Sequence, residues 1–344
     1  MFINILAFVF IIAVCVVIHE YGHYRTAVAC GVQVHEFAFG MGPSLISIQG
    51  KRNLWSIRLF PIGGFVRLAG MEEDDGKPVA PGMGFDEKSG WARLAVLFAG
   101  PGANILLAFI LTAGLLWWHG VLDMEAARIG VVMDGYPAQS VGLQPGDVIL
   151  SVDGEAVDDW ASMADRIRSH DDDSPLDLQV RRGEGVFSIT VKVPVDPSSG
   201  RPLLGVQPGM RRYPLLLALK TSVSYTISMS VAMVRGIFDW IGGQSQVDVS
   251  GPVGIASMAG SAAKQGFWAF VSFLAIISLN LGVVNLFPFP ALDGGRIAFI
   301  IGEMILGKKL PSKIEAYIHL TGFVVLIALI VVITWHDVAR LLSS

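Results

Sequence analysis

The motif His19-Glu20-Tyr21-Gly22-His23 closes an almost unbroken apolar run from Phe2 to Ile18, and that placement restricts the possible folds more than any other feature. A run of this length is about what a helix needs to cross the hydrocarbon core of a bilayer. On a helix, His19 and His23 lie one turn apart on one face with Glu20 beside them, the arrangement of two zinc ligands and a general base. Ionisable groups at membrane depth cost about 3 kcal/mol each on insertion scales, so three together point to function. The plainer reading is three polar residues reaching for the interface from a helix end.

Composition agrees with a membrane location. Of 344 residues, 53% are hydrophobic and 16% charged, and the mean hydropathy is +0.58, too apolar for an ordinary soluble enzyme. The net charge of -4 with no long basic block gives no sign of nucleic-acid binding. Cys15 and Cys30 offer no disulfide framework. The opening segment lacks a basic leader and a small-residue cleavage site before His19, so it is expected to be retained as an anchor.

Four stretches are long and apolar enough to span: Phe2 to about Tyr24, Leu94 to Trp118, Phe267 to Phe287 and Ile318 to Trp335. Trp117, Trp118, Trp268 and Trp335 suit interfacial belts. Lys51, Arg52, Arg58, Arg67, Lys77 and Lys88 lie between the first two spans, and Arg296, Lys308, Lys309 and Lys313 between the last two. Short basic loops belong in the cytoplasm, which places both termini, and the insert from about Val121 to Gly266, outside. Residues 213–241 are fairly apolar but carry Lys220, Arg235 and many Ser and Thr. They are expected to lie along the membrane, because a fifth crossing would carry the later polar motif to the face opposite His23.

Two regions read as strand. Residues 129–208 carry short strands and turn signals such as Pro145-Gly146-Asp147 and Asp153-Gly154. From Val34 to Leu68, the runs LISIQ and LWSIRLF alternate apolar with polar residues, broken by Gly50-Lys51, Pro61 and Gly63-Gly64, which predicts a β-hairpin close to the membrane. Its edge could pair with an unwound peptide, or the hairpin could be structural only.

A catalytic zinc usually takes three protein ligands and keeps a fourth position for water, so HEYGH is incomplete alone. Asp293, in NLFPFPALDGG (residues 285–295), is the strongest candidate for the third. With termini outside, the first and third spans both end on the cytoplasmic side, and Pro288 and Pro290 break the helix where only a buried or watery site tolerates it. The plainer reading of Asp293-Gly294-Gly295 is a turn after a helix. Glu303 and His319 read as lone interfacial groups, and His35 and His119 lie outside any spaced cluster. Neither Gly40-Met41-Gly42 nor Gly82-Met83-Gly84 has the context of a phosphate loop. A peptide receptor whose HEYGH is a relic, or a proton conductor lined by His19, Glu20 and Asp293, would also fit these residues.

The segment IGVVMDGYPAQSVGLQPGDVILSVDGEAV resembles a PDZ domain of the bacterial protease type. Together with HEYGH on the first membrane helix, SGPVGI at 250–255 and NxxPxPxLDGG, it makes the chain resemble the site-2 protease family of intramembrane zinc metalloproteases, in its regulator-of-sigma-E branch. That resemblance implies zinc held by His19, His23 and Asp293, Glu20 as base, and Asn285 contacting the substrate backbone. It also implies a bacterial inner-membrane enzyme of regulated proteolysis and stress response. Its substrates would be single-pass proteins already trimmed outside, such as anti-sigma factors, or signal-peptide remnants, with a peptide ligand for the PDZ-like domain. The expected architecture is a polytopic α-helical membrane protein of about four transmembrane helices. Its parts are 1–120 with the zinc motif and hairpin, a PDZ-like domain at 126–208, an amphipathic segment at 209–265, and the last two spans at 266–344.

Overall fold

A computed structural model describes residues 2–71, 78–170, 174–196, 201–243, 250–309 and 311–343. Its helices are α1 (Phe2–Ala29), α2 (Gly90–Gly114, continued by one π turn, Leu115–His119), α3 (Pro137–Ser140), α4 (Trp160–Arg168) and α5 (Leu215–Ile241). They are followed by α6 (Pro252–Gln265), α7 (Phe267–Asn285), α8 (Asp293–Leu306) and α9 (Ser312–Ser343). The chain divides into two compact units, Met1–Ala113 with Leu219–Ser344, and Gly114–Ala218.

In the first unit, α1 and α2 run antiparallel and touch through glycine. A Cβ on Gly22 would lie 2.2 Å from the Ala99 carbonyl oxygen, and one on Gly100 would lie 2.2 Å from His23 Nε2. Helix α7 approaches α2 in the same way, with Gly282 against Pro101 and Ile105, and Ser278 Oγ donates to the Asn104 carbonyl at 2.8 Å. Close backbone approach through small residues is how helices associate in lipid, where burying apolar surface gains nothing.

Among the described residues five helices are long and apolar enough to cross a membrane: α1, α2 with its π turn, α5, α7 and α9. That is one more than expected from sequence. The additional one, α5, qualifies because Lys220 and Arg235 lie near its two ends and leave an uncharged stretch between. Met229, Met233 and Val234 of α5 pack with Ala108, Leu279 and Val283, and Phe238 meets the Phe287 ring, centroids 5.7 Å apart. Helix α6 meets α9 and α1. Asp337 Oδ2, fifteen residues along α9 from Gly322, accepts the Gly254 N–H at 2.8 Å, and Gly260 sits against Asn4 near the start of α1.

The hairpin is richer than two strands. Strands β1 (Val34–Gln49) and β2 (Leu54–Leu68) pair in four runs. Residues 44–49 pair with 54–58, 54–57 also pair with 36–39, and 34–39 pair with 64–68. The run 54–57 is therefore interior, and among the described residues the outer runs are 44–49 and 64–68. Buried Glu36 locks the sheet, accepting from Ser56 Oγ at 2.5 Å and from Arg58 at 2.7 Å. Leu45, Ile46, Ile48, Ile57, Leu59 and Phe60 are exposed, an apolar surface suited to lipid contact.

The second unit is built on a four-stranded antiparallel sheet in the order 155–156, 148–152, 176–182, 185–191. Leu176, Leu178 and Val180 alternate inward to meet Ile129, Ile149 and Met163 in one core, as period-2 patterning demands of a half-buried strand. Helix α4 begins with a capping box between Asp159 and Ser162. The turn Pro145-Gly146-Asp147 is fixed by Asp147, which accepts from the Gln144 N–H at 2.8 Å and from two Arg182 nitrogens at 2.7 Å. Those guanidinium bonds hold the Asp147 carboxyl below the usual carboxylate range.

Candidate functional site

Helical spacing puts His19 and His23 on the α1 face turned toward α2, and both rings are buried. The proline-broken segment after α7 brings a third group to them. Asp293 Oδ2 lies 3.1 Å from His19 Nε2 and 3.4 Å from His23 Nε2, and the two Nε2 atoms are 3.1 Å apart. Among the described residues these three form a group able to hold a metal ion.

Their outer partners fix which nitrogens are bare. His23 Nδ1 is 2.8 Å from the Val96 carbonyl, so it carries the proton and leaves Nε2 with a lone pair. Val96 lies in α2 one turn before Gly100, the glycine on which His23 packs. His19 Nδ1 is 3.3 Å from the Asn104 amide nitrogen, while Asn104 Oδ1 is buried with no partner among the described residues. Turning that amide over gives the oxygen a His19 Nδ1–H to accept and resolves the orphan. Two imidazole lone pairs and a carboxylate then converge with no proton between them, which is favourable only around a cation. A tetrahedral zinc with bonds of about 2.0–2.1 Å has ligand–ligand edges of about 3.3 Å, close to the three spacings here. The residues fit zinc.

Glu20 is half-buried beside the cluster, with the Val66 N–H of β2 in hydrogen-bonding contact with its carboxylate. Asn285 ends α7 and is half-buried, eight residues before Asp293, outside the three-atom group. The intervening turn is compact: Gly294 and Gly295 press on the carbonyls of Leu286, Phe287 and Phe289, and Ala291 takes φ 80°. Residues that sequence reading assigned to no cluster also find partners. Glu303 pairs with Arg93 at 2.5 Å, and His319 Nδ1 accepts the Ala291 N–H at 3.0 Å. Asn104 went unnoticed in the sequence, although an amide inside an apolar span is a signal in itself.

A family model described as Peptidase family M50 matches residues 7–329. A protein of Clostridium acetobutylicum is 33% identical over 342 residues, covering 98% of each chain. The zinc metalloprotease RasP of Shouchella clausii is 31% identical over 424 residues, covering 99% of this chain and 100% of its own. RasP of Geobacillus kaustophilus is 29% identical, covering 98% of both. Among solved structures, the PDZ domain of an SdrC-like protein from Listeria monocytogenes aligns with 25% of this chain and 90% of its own, at 24% identity and a TM-score of 0.22.

Proposed function

We propose, for a chain that belongs to peptidase family M50, the site-2 proteases, and is a zinc metalloprotease of the membrane, that it cuts peptide bonds within the transmembrane segments of single-pass proteins. The convergence of His19, His23 and Asp293 around one point carries this reading. In it the three side chains hold the zinc, which when bound supplies Lewis-acid activation of water and of the scissile carbonyl. Glu20 accepts the proton of the attacking water and passes it to the leaving amine. Asn285 holds the substrate backbone or its developing oxyanion.

A substrate helix hides its peptide bonds behind backbone hydrogen bonds, so it must unwind before water attacks. An unpaired strand edge replaces those bonds. The edge beside Glu20 is 64–68, since 54–57 is paired on both sides. We take α1, α2, α7 and α9 as the crossings. Lys220 and Arg235, with many Ser and Thr between them, support α5 as an element packed against α2 and α7 and not a crossing of its own. The basic loops put the cluster toward the cytoplasm of a bacterial inner membrane, with the termini and the second unit in the periplasm. That unit, read as a PDZ-like domain, binds an extended peptide and excludes substrates not yet trimmed by another protease; anti-sigma factors and signal-peptide remnants are of the fitting class.

The test is Glu20→Gln in the full chain, assayed on a model single-pass substrate. Zinc should stay stoichiometric while cleavage falls by about 10³-fold or more. Cleavage at the original rate would remove Glu20 from the chemistry, and a peptide receptor or proton conductor would show no cleavage in the parent protein either.

A further inference from the structure

The third arm of the cluster follows a turn closed by backbone bonds, Phe289 N–H to the Phe287 carbonyl and Leu292 N–H to the Phe289 carbonyl, with no side-chain cap at the start of its helix. Asp293 is the first residue of α8, and its N-cap position, Leu292, offers no side-chain bond. The turn before it includes Ala291 at φ 80°, a left-handed conformation that costs an L side chain energy glycine would not spend. Such a conformation persists only where surroundings enforce it.

Helix α9 supplies the enforcement. His319 Nδ1 accepts the Ala291 N–H at 3.0 Å, fixing the residue that is strained. One turn on, Gly322 lies so close that a Cβ would sit 2.4 Å from Pro290 Cβ and 2.5 Å from the Pro290 carbonyl oxygen. The ring is seated edge-on against Phe299 of α8, centroids 5.5 Å apart. Its Nε2 is buried with no hydrogen-bond partner, Glu315 Oε1 being 3.9 Å away. The one hydrogen bond described for the ring is thus the one it accepts from the turn at Nδ1.

We propose that His319 is a positioning residue: it braces the 288–292 turn and thereby holds the Asp293 carboxylate in register with His19 and His23. The brace rests on the reading of Asp293 as a zinc ligand. Groups that orient metal ligands typically change metal affinity by about 10- to 100-fold when removed.

Full-length His319→Ala, His319→Asn, His319→Gln and Asp293→Ala are compared for zinc loss to a chelator and for the visible spectrum after cobalt(II) replacement. Expected is about 10-fold faster zinc loss and altered cobalt bands in His319→Ala. Asn places an oxygen where Nδ1 stood and should restore both; Gln reaches the Nε2 position and should not. Adding Ala291→Gly to His319→Ala should recover part of the loss, because glycine holds the turn without strain. Parental zinc retention and spectrum in His319→Ala, or Gln rescuing as well as Asn, would overturn the brace alone. If His319→Ala fails to accumulate, the Asn and Gln comparison still decides. Full zinc retention in Asp293→Ala would overturn the ligand reading, and the brace with it.

Discussion

At the scale of single residues, the centre depends on groups that touch no substrate. Asn104 orients His19 as the Val96 carbonyl orients His23, so Asn104→Ala should weaken zinc binding by about 10- to 100-fold, read by chelator competition. Gly100→Ala should be harsher, because the added carbon would overlap the His23 ring; zinc content near zero is the expected result. In the second unit, the Asp147 carboxyl is depressed by Arg182. Its contribution to stability is complete above the ordinary carboxylate range near 3.9 and is lost as pH falls through the lower folded value. Asp147→Asn should thus destabilise residues 129–208 at neutral pH by about 1–3 kcal/mol, with little difference at strongly acidic pH, measurable as hydrogen-exchange protection in the full chain. The histidines and Asp293 were legible in the sequence because their spacing and span ends are periodic facts. Asn104 and His319 were not, since a lone polar side chain acquires meaning only from what another helix lays against it.

At the scale of elements, period-2 alternation revealed that 34–68 is strand but not the order of its runs. Order comes from pairings such as Phe37 with both Trp55 and Val66, which no local pattern encodes. It decides where a substrate strand could add. Cysteine placed at Phe65, on the outer run, should crosslink to a bound substrate's transmembrane segment, whereas cysteine at Ile57 should not. Equal crosslinking from both would argue against edge addition at 64–68. The same limit applies to α5: hydropathy sees length and charge, while its fate depends on what it packs against, such as Leu279, Val283 and Phe287.

At the scale of the molecule, a unit of long apolar helices carries the candidate centre, and a strand-rich unit is inserted between those helices in sequence. That plan was readable from the break between long apolar runs and a stretch full of turns. If the inserted unit screens substrates, removing 129–208 should broaden cleavage to untrimmed proteins, seen by comparing intact and shortened substrates; loss of all cleavage would count against screening. The glycine contacts between α1 and α2 have one more effect. With Gly22 against the Ala99 carbonyl and Gly100 against the imidazole, that flank is sealed tighter than the width of a solvent molecule. Each bond cut consumes one such molecule, and its inlet must lie on another side of the cluster.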